Sequence, residues 1–505
     1  VTQNNIQMAF YVYDLIFLVL FSLGVGLFLW KRKKNLEREG IMYLYRTKLG
    51  IKFIDYVGEK YKKTLRVFSF LAVITGYSLM ILMIYFLYSL LKLYLFNPDI
   101  VRAIKIPPLM PLIPYLPSLF KVSFLPPFYF TYWIIAIAVI AIFHEFAHGI
   151  IAKRYGVRIK TTGFGFLGPF LAAFVEPDEK QMVKKTKFQQ ISILSAGVFV
   201  NLILSLLFFL LLAGFFILAY HPAGAMFNTY AVGAVAVSSV NMIGGQLINN
   251  PTNQGLIDLI EDNNITDDLE LGDNGNTIKL TKINVGDKDY FMSIEILKKQ
   301  LEQDTEVIAL YEDLPAINNG LGKIIDNQLS GIIVEINGNE IKDHEDVSNI
   351  LINLKPGDKI SLTTKDDEGL LEYEFELGEN PNEPGKPMIG IGFAGSSSQG
   401  QTILRKIFNF FTFFKEPATH YEPRYNADFI IFIYNLIWWL ALINFSVALI
   451  NMWPVAIFDG GRMFMLTIWA ITGSEKFAQL AFKIVTYIIL GALLVLMLGW
   501  FVAVF

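Results

Sequence analysis

Long apolar runs recur six times along the chain, near Met8–Trp30, Val67–Phe96, Phe128–Arg154, Ile191–Tyr220, Phe429–Ile450 and Phe477–Phe505. As helices rising ~1.5 Å per residue, such runs are long enough to cross a hydrocarbon core ~30 Å thick. A seventh apolar stretch, TTGFGFLGPFLAAFVE (residues 161–176), is too short to cross and is broken by Gly163, Gly165, Gly168 and Pro169. It predicts a re-entrant β-hairpin, because irregular backbone at membrane depth is tolerated only against protein or water. Eight prolines between Pro98 and Pro127 forbid a helix and predict an extended loop. The phenylalanine-rich RKIFNFFTFFK (Arg405–Lys415) predicts an amphipathic helix lying at the interface. The expected fold is thus a polytopic α-helical membrane protein of about six spans.

Residues 221–400 break the apolar rhythm. In SGIIVEINGNEIKDHEDVSNILINLKPGDKISLTTKD an alternating strand meets the turn Asn337-Gly338, a hairpin signal. A helix capped near Asp343, the turn Pro356-Gly357-Asp358 and a second alternating strand follow. Together with the preceding LPAINNG, this pattern resembles a PDZ domain, which implies a mostly-β α+β insertion able to bind an extended peptide by strand addition. Residues 246–310 form a polar insertion with no assignable pattern. Residues 31–66 read as a basic, partly helical linker beside anionic lipid. The expected divisions are 1–127, 128–220, 221–400 and 401–505.

Charge sets the expected orientation. Lys31–Lys34 follow the first run, Lys153, Arg154, Arg158 and Lys160 follow the third, and Lys180, Lys184, Lys185 and Lys187 precede the fourth. By the positive-inside rule these mark the cytoplasmic side, which leaves residues 221–400 outside the cytoplasm. That segment carries 11 Lys+Arg and 30 Asp+Glu, against 31 and 15 in the rest of the chain. A chain 54% hydrophobic and only 17% charged is excluded from the ordinary soluble class. Cysteine is absent, which excludes disulfides and thiolate metal sites. No basic stretch precedes the first run and no small-residue site follows it, so no cleavable signal peptide is expected.

The third run carries the chemistry. FYFTYWIIAIAVIAIFHEFAHGIIAKR places His144 and His148 four residues apart, on one helix face. Two imidazoles so spaced can grip one metal ion, with Glu145 beside them to take a proton from water. Counted at ~1.5 Å per residue back from Lys153 and Arg154, His144 lies ~13 Å and His148 ~7 Å below that membrane surface, and ionisable residues at such depth are expensive and point to function. The bland reading is a pair of histidines that bridge neighbouring helices. Only five histidines exist, so a third ligand is expected to be a carboxylate, and Asp459 is the one carboxylate in NMWPVAIFDGGR. The small residues Ser195, Ala196 and Gly197 permit a close helix contact that brings Asn201 toward the third run. There Asn201 either donates to the site or serves a neighbouring backbone.

These motifs resemble the site-2 protease family of intramembrane zinc metalloproteases. HEFAHG matches its HExxH motif, NMWPVAIFDGG its NxxPxxxxDG motif, SAGVFVN its GxxxN element, and AFVEPDE its re-entrant segment. The resemblance implies His144, His148 and Asp459 as ligands of one Zn2+, Glu145 as catalytic base, and Asn451 as a helper near the oxyanion. It also implies membrane-protein substrates, cut within or near their transmembrane segments; the basic residues that end the third run put the expected active site near the cytoplasmic face. The lipid bilayer and a peptide ligand for the PDZ-like domain are expected partners; nucleic acid is not. Phe458 stands where leucine is usual, and the N-terminal region lies outside the recognisable core. Two rival readings are a silent substrate-binding adaptor of the same family and a metal or proton transporter. Intact Glu145 argues against the first, and the absence of span repeats against the second.

Overall fold

The computed structural model describes the chain apart from residues 1, 41, 98–100, 102–106, 121, 123–124, 168–169, 250, 273–277, 326–327, 367–368, 394–411 and 505. It divides into a helical unit, Gln3–Phe215 with Asp428–Phe505, and an inserted unit, Phe216–Ala427.

In the helical unit, α1 (Thr2–Arg32) runs into a hairpin of β1 (Leu36–Glu39) and β2 (Met42–Thr47). The helices α2 (Ile51–Lys60) and α3 (Lys62–Phe96) follow. Among its described residues the proline-rich stretch does hold a four-residue helix, α4 (Leu116–Leu119). Its Pro117 sits in the first turn, where the missing N–H costs nothing. Next come α5 (Phe130–Arg154), β3 (Ile159–Leu167), β4 (Phe170–Pro177), α6 (Glu179–Val183) and α7 (Lys187–Ala219).

The segment expected as a solvated linker is instead part of the fold. β2 pairs antiparallel with β3, from Tyr43↔Phe166 to Thr47↔Thr162, so β3 and β4 belong to a four-stranded sheet in the order β1-β2-β3-β4. An isolated hairpin in apolar surroundings would leave a row of unpaired backbone groups on β3, and β2 satisfies them. Arg46 of β2 ties the sheet together: it donates to Glu37 on β1 at 2.7 Å, to Thr161 on β3 at 3.2 Å, and to Glu176 on β4. Helix α2 buries Ile54 completely against α5. Gly58 lets it approach, since a Cβ there would lie 2.8 Å from the Lys153 side chain.

The inserted unit holds two sheets. In the first, β6 (Val232–Ala236), β7 (Val240–Ile243), β8 (Gln246–Leu247), β9 (Leu269–Leu271), β10 (Ile278–Val285), β11 (Lys288–Met292) and β12 (Val307–Glu312) take the order β6-β12-β11-β10-β7-β8, with β9 on β10. Helices α8 (Asn253–Asp262) and α9 (Ile294–Leu301) contribute Leu256, Ile260, Leu297 and Leu301 to its core. The second is built round β5 (Tyr220–Tyr230), with α10 (Pro315–Asn318), β13 (Lys323–Ile325), β14 (Gln328–Ile336), β15 (Asn339–Glu340), α11 (His344–Leu351), β16 (Lys359–Asp366) and β17 (Gly369–Glu376). After a small ribbon of β18 (Gly378–Glu379) and β19 (Pro387–Met388), β20 (Ile391–Phe393) and β21 (Thr419–Pro423) both pair with β5. The unit therefore runs past residue 400. Of the expected interfacial helix, residues 405–411 lie outside the described residues, and 412–415 form turns.

The unassignable insertion repeats its neighbour. In one sheet β7 turns at Gly244-Gly245 into β8, and α8, the extra strand β9, β10 and β11 follow; β10 pairs with both β7 and β11. In the other β14 turns at Asn337-Gly338 into β15, and α11, β16 and β17 follow; β16 pairs with both β14 and β17. All four turn residues have positive φ, between 50° and 78°, the geometry of a two-residue hairpin whose twist matches its strands. Asp343 caps α11, accepting from Glu345 N at 2.8 Å and Asp346 N at 3.0 Å.

Back in the helical unit, α12 (Ala427–Ile450) leads through a turn to α13 (Asp459–Thr472) and α14 (Glu475–Val504). Among the described residues six helices are long and apolar enough to cross a membrane: α1, α3, α5, α7, α12 and α14. The chain is an integral multi-pass membrane protein.

Candidate metal centre

Helix α5 is fixed at both ends. At its start Asp14, buried in α1, accepts from Phe130 N at 2.7 Å, Thr131 N at 2.9 Å, Thr131 Oγ1 at 2.5 Å and Tyr115 Oη at 2.5 Å. A carboxylate there satisfies orphan N–H groups and sits at the positive end of the helix dipole. At its end Gly156 adopts φ 72°, its N–H donates to Lys153 O, and Val157 N donates to Ala152 O at 2.9 Å. That is a Schellman stop, completed by the buried pair Val157 and Ala152.

One turn apart on this helix, His144 and His148 bring their Nε2 atoms to 3.1 Å. Asp459 Oδ2 lies 3.5 Å from the first and 3.4 Å from the second. Asp459 is the first residue of α13, and the glycines after it explain its placement. A Cβ on Gly460 would lie 2.4 Å from the Met452 carbonyl carbon, and one on Gly461 would lie 2.1 Å from Val455 O. Only bare backbone can pack so tightly, and Gly460 N then donates to Asn451 O at 2.7 Å. Asn451 thereby anchors the residue next to Asp459 through its carbonyl.

The second ring nitrogens are engaged as well. His148 Nδ1 donates to Ile193 O at 2.7 Å, which in the neutral imidazole leaves Nε2 a lone pair facing the cluster. His144 Nδ1 lies 3.0 Å from the amide nitrogen of fully buried Asn201, whose Oδ1 has no partner among the described residues. The Asn201 side chain thus meets the His144 ring. Gly197, one turn before Asn201, faces the rings directly: a Cβ there would lie 2.5 Å from His148 Nε2.

The three inward atoms suit a cation. A tetrahedral zinc with bonds of ~2.0–2.1 Å separates its ligands by ~3.3–3.4 Å, and these atoms lie 3.1–3.5 Å apart. Among the described residues this is the group of histidine and carboxylate side chains able to hold a metal.

Glu145 faces β4, where its Oε2 accepts from Val175 N at 3.0 Å. Gly149 allows that approach, since a Cβ there would already lie 3.0 Å from the Val175 side chain. Sequence reasoning missed Asp14, Arg46 and Val175. Asp14 did carry a signal, being the one charged residue in the first apolar run. Arg46 and Val175 carried none, because their roles arise only from sheet pairing.

The sequence model described as Peptidase family M50 matches residues 132–497, which contain every residue of this cluster. Over 174 residues the chain is 31% identical to an uncharacterized protein of Methanocaldococcus jannaschii, a match covering 33% of this chain. The chain spans 42% of that relative's length.

Proposed function

The chain belongs to peptidase family M50, the site-2 protease family, and on that footing we propose that it is a zinc metalloprotease cutting peptide bonds within or near transmembrane segments of other membrane proteins. The observation that carries the proposal is the meeting of His144 Nε2, His148 Nε2 and Asp459 Oδ2 within 3.5 Å, with Glu145 on the same helix. Zinc held by these three atoms supplies a Lewis acid and lowers the pKa of water toward ~7.

The remaining work falls to the chain's own groups. With both Nε2 atoms ligating, each Nδ1 must carry a proton. Ile193 O accepts one, and Asn201 turns its amide so that Oδ1 accepts the other. Val175 N–H holds one oxygen of Glu145, leaving the second to take a proton from water and return it to the leaving amine. Asn451 is the proposed helper for charge developing on the substrate carbonyl oxygen. A transmembrane helix shields its amides in its own hydrogen bonds, so the substrate must unwind locally. β4 ends the order β1-β2-β3-β4, and its outer edge suits an added strand.

Basic residues flanking the spans support a site near the cytoplasmic face and an inserted unit on the opposite side. We assign that unit, with its PDZ-like hairpin–helix pattern, to substrate selection. The test is cleavage of a single-span reporter protein by the purified full chain in lipid nanodiscs, with the cut mapped by mass spectrometry. Wild type should cut within or beside the apolar segment, and Glu145→Gln should not cut. Equal turnover by the variant, or cuts confined to the reporter's soluble part, would refute the proposal.

A further inference from the structure

We propose that a basic cleft at one end of the spanning helices binds the phosphate of an anionic membrane lipid. The cleft, about 340 Å³, is lined by Lys62, Lys63, Arg66, Arg154, Tyr155 and Gln189. It lies where the first turns of α3 and α7 meet the last turn of α5. Four of the six lining residues are cations and none is a carboxylate.

The neighbouring cation Lys153 is matched by carboxylates, and among the described residues the cations of the cleft are not. Lys153 pairs with Asp55 at 2.9 Å and Glu59 at 3.0 Å, and Lys60 donates to the Tyr56 phenol. Among the described residues no carboxylate pairs with Lys62, Lys63, Arg66 or Arg154. Arg154 is nonetheless held in place: its Nε donates to Lys62 O at 3.4 Å, and its guanidinium lies 4.3 Å from the Tyr155 ring centre. That leaves its terminal nitrogens for an outside acceptor. Lys62 and Lys63 also occupy the first turn of α3, which has no acidic residue, so they add to the positive end of the helix dipole. An anion seated there relieves both repulsions. Phosphate oxygens suit it, because arginine and lysine together offer fork and point-charge donors.

A lipid is favoured over free phosphate by what continues below the cations. From Lys63, helical spacing leads down one face through Val67, Phe70, Leu71 and Ile74, between 40% and 58% exposed. A charged head above an exposed apolar stripe is the complement of an anionic amphiphile.

The test titrates the full chain, in neutral detergent, with three probes: dioctanoyl phosphatidic acid, dioctanoyl phosphatidylcholine and inorganic phosphate. Native mass spectrometry reads stoichiometry and affinity. Wild type should bind phosphatidic acid saturably, at least about tenfold more tightly than either other probe. The triple variant Lys62→Gln, Lys63→Gln, Arg66→Gln should lose at least about tenfold, while Lys180→Gln with Lys184→Gln, exposed lysines outside the cleft, should bind as wild type. Arg154→Gln alone should weaken binding too, and serves if the triple variant does not fold. Equal affinity for inorganic phosphate overturns the lipid assignment. Equal losses in the cleft and control variants, or no saturable binding, overturn the site.

Discussion

Replacing Gly197 with alanine inserts one methyl carbon into the narrowest gap beside the metal centre. The added carbon would lie 2.5 Å from His148 Nε2, 2.6 Å from His144 Cε1 and 2.7 Å from His144 Nδ1. Ordinary carbon contacts begin near ~3.5 Å, so the two surfaces must part by roughly 0.8–1 Å. Helix α7 has little room to retreat. A Cβ on Gly76 of α3 would already meet Ser195 Cβ at 3.0 Å, and Ser205 donates to Ala441 O at 2.9 Å. The imidazoles must therefore move, yet a metal–ligand bond tolerates only ~0.2 Å. Displacing both histidines should weaken zinc at least about 100-fold, the upper range for changes that merely disturb ligand support. Alanine itself favours a helix over glycine by about 1 kcal/mol, so the metal-free fold should not suffer from propensity. Competition with a fluorescent chelator reads the affinity, and thermal unfolding of the metal-free protein serves as the control. Wild-type zinc affinity in Gly197→Ala would show that α7 does not wall the site as described.

Asn201→Leu should weaken zinc by about 10–100-fold, and Asn201→Asp, which keeps an acceptor for His144, should restore most of it; equal affinity in all three proteins would remove Asn201 from the site. Asp14→Ala leaves Phe130 N and Thr131 N without their acceptor and should cost about 2–4 kcal/mol, read as a lower melting temperature of the full chain in detergent. No change would mean that α1 does not cap α5. Because the chain lacks cysteine, single cysteines at Lys34 and Asp343 can be labelled with an impermeant reagent in sealed vesicles. Labelling should come from opposite sides, and labelling from one side would refute the proposed orientation.

The spans and the metal-binding spacing were legible because each follows from a local period. An apolar run longer than a bilayer is thick can be read from the run alone, and His144 and His148 are neighbours by helix geometry. Asp459 stood out as a lone carboxylate among apolar residues. What escaped reading depends on pairing between distant segments. MYLYRT (Met42–Thr47) is too short and mixed to announce a strand, and its partner β3 begins more than 100 residues later. The same holds for Arg46, which reaches across 130 residues to Glu176. The repeat within the inserted unit was hidden because its turn is Gly244-Gly245 in one half and Asn337-Gly338 in the other. Backbone geometry is shared there while side chains are not. Proline density misled at Pro117, which sits where a helix can begin.

Metal content, measured on purified full-length protein after dialysis against a weak chelator, tests the zinc-protease assignment most directly. Wild type and Glu145→Gln should each keep about one zinc per chain, because Glu145 is a base and not a ligand. Asp459→Asn should lose it, since an amide replaces the one anionic donor among the three atoms. Zinc retained at wild-type level in Asp459→Asn, or lost in Glu145→Gln, would contradict the assigned ligands and with them the proposed enzyme.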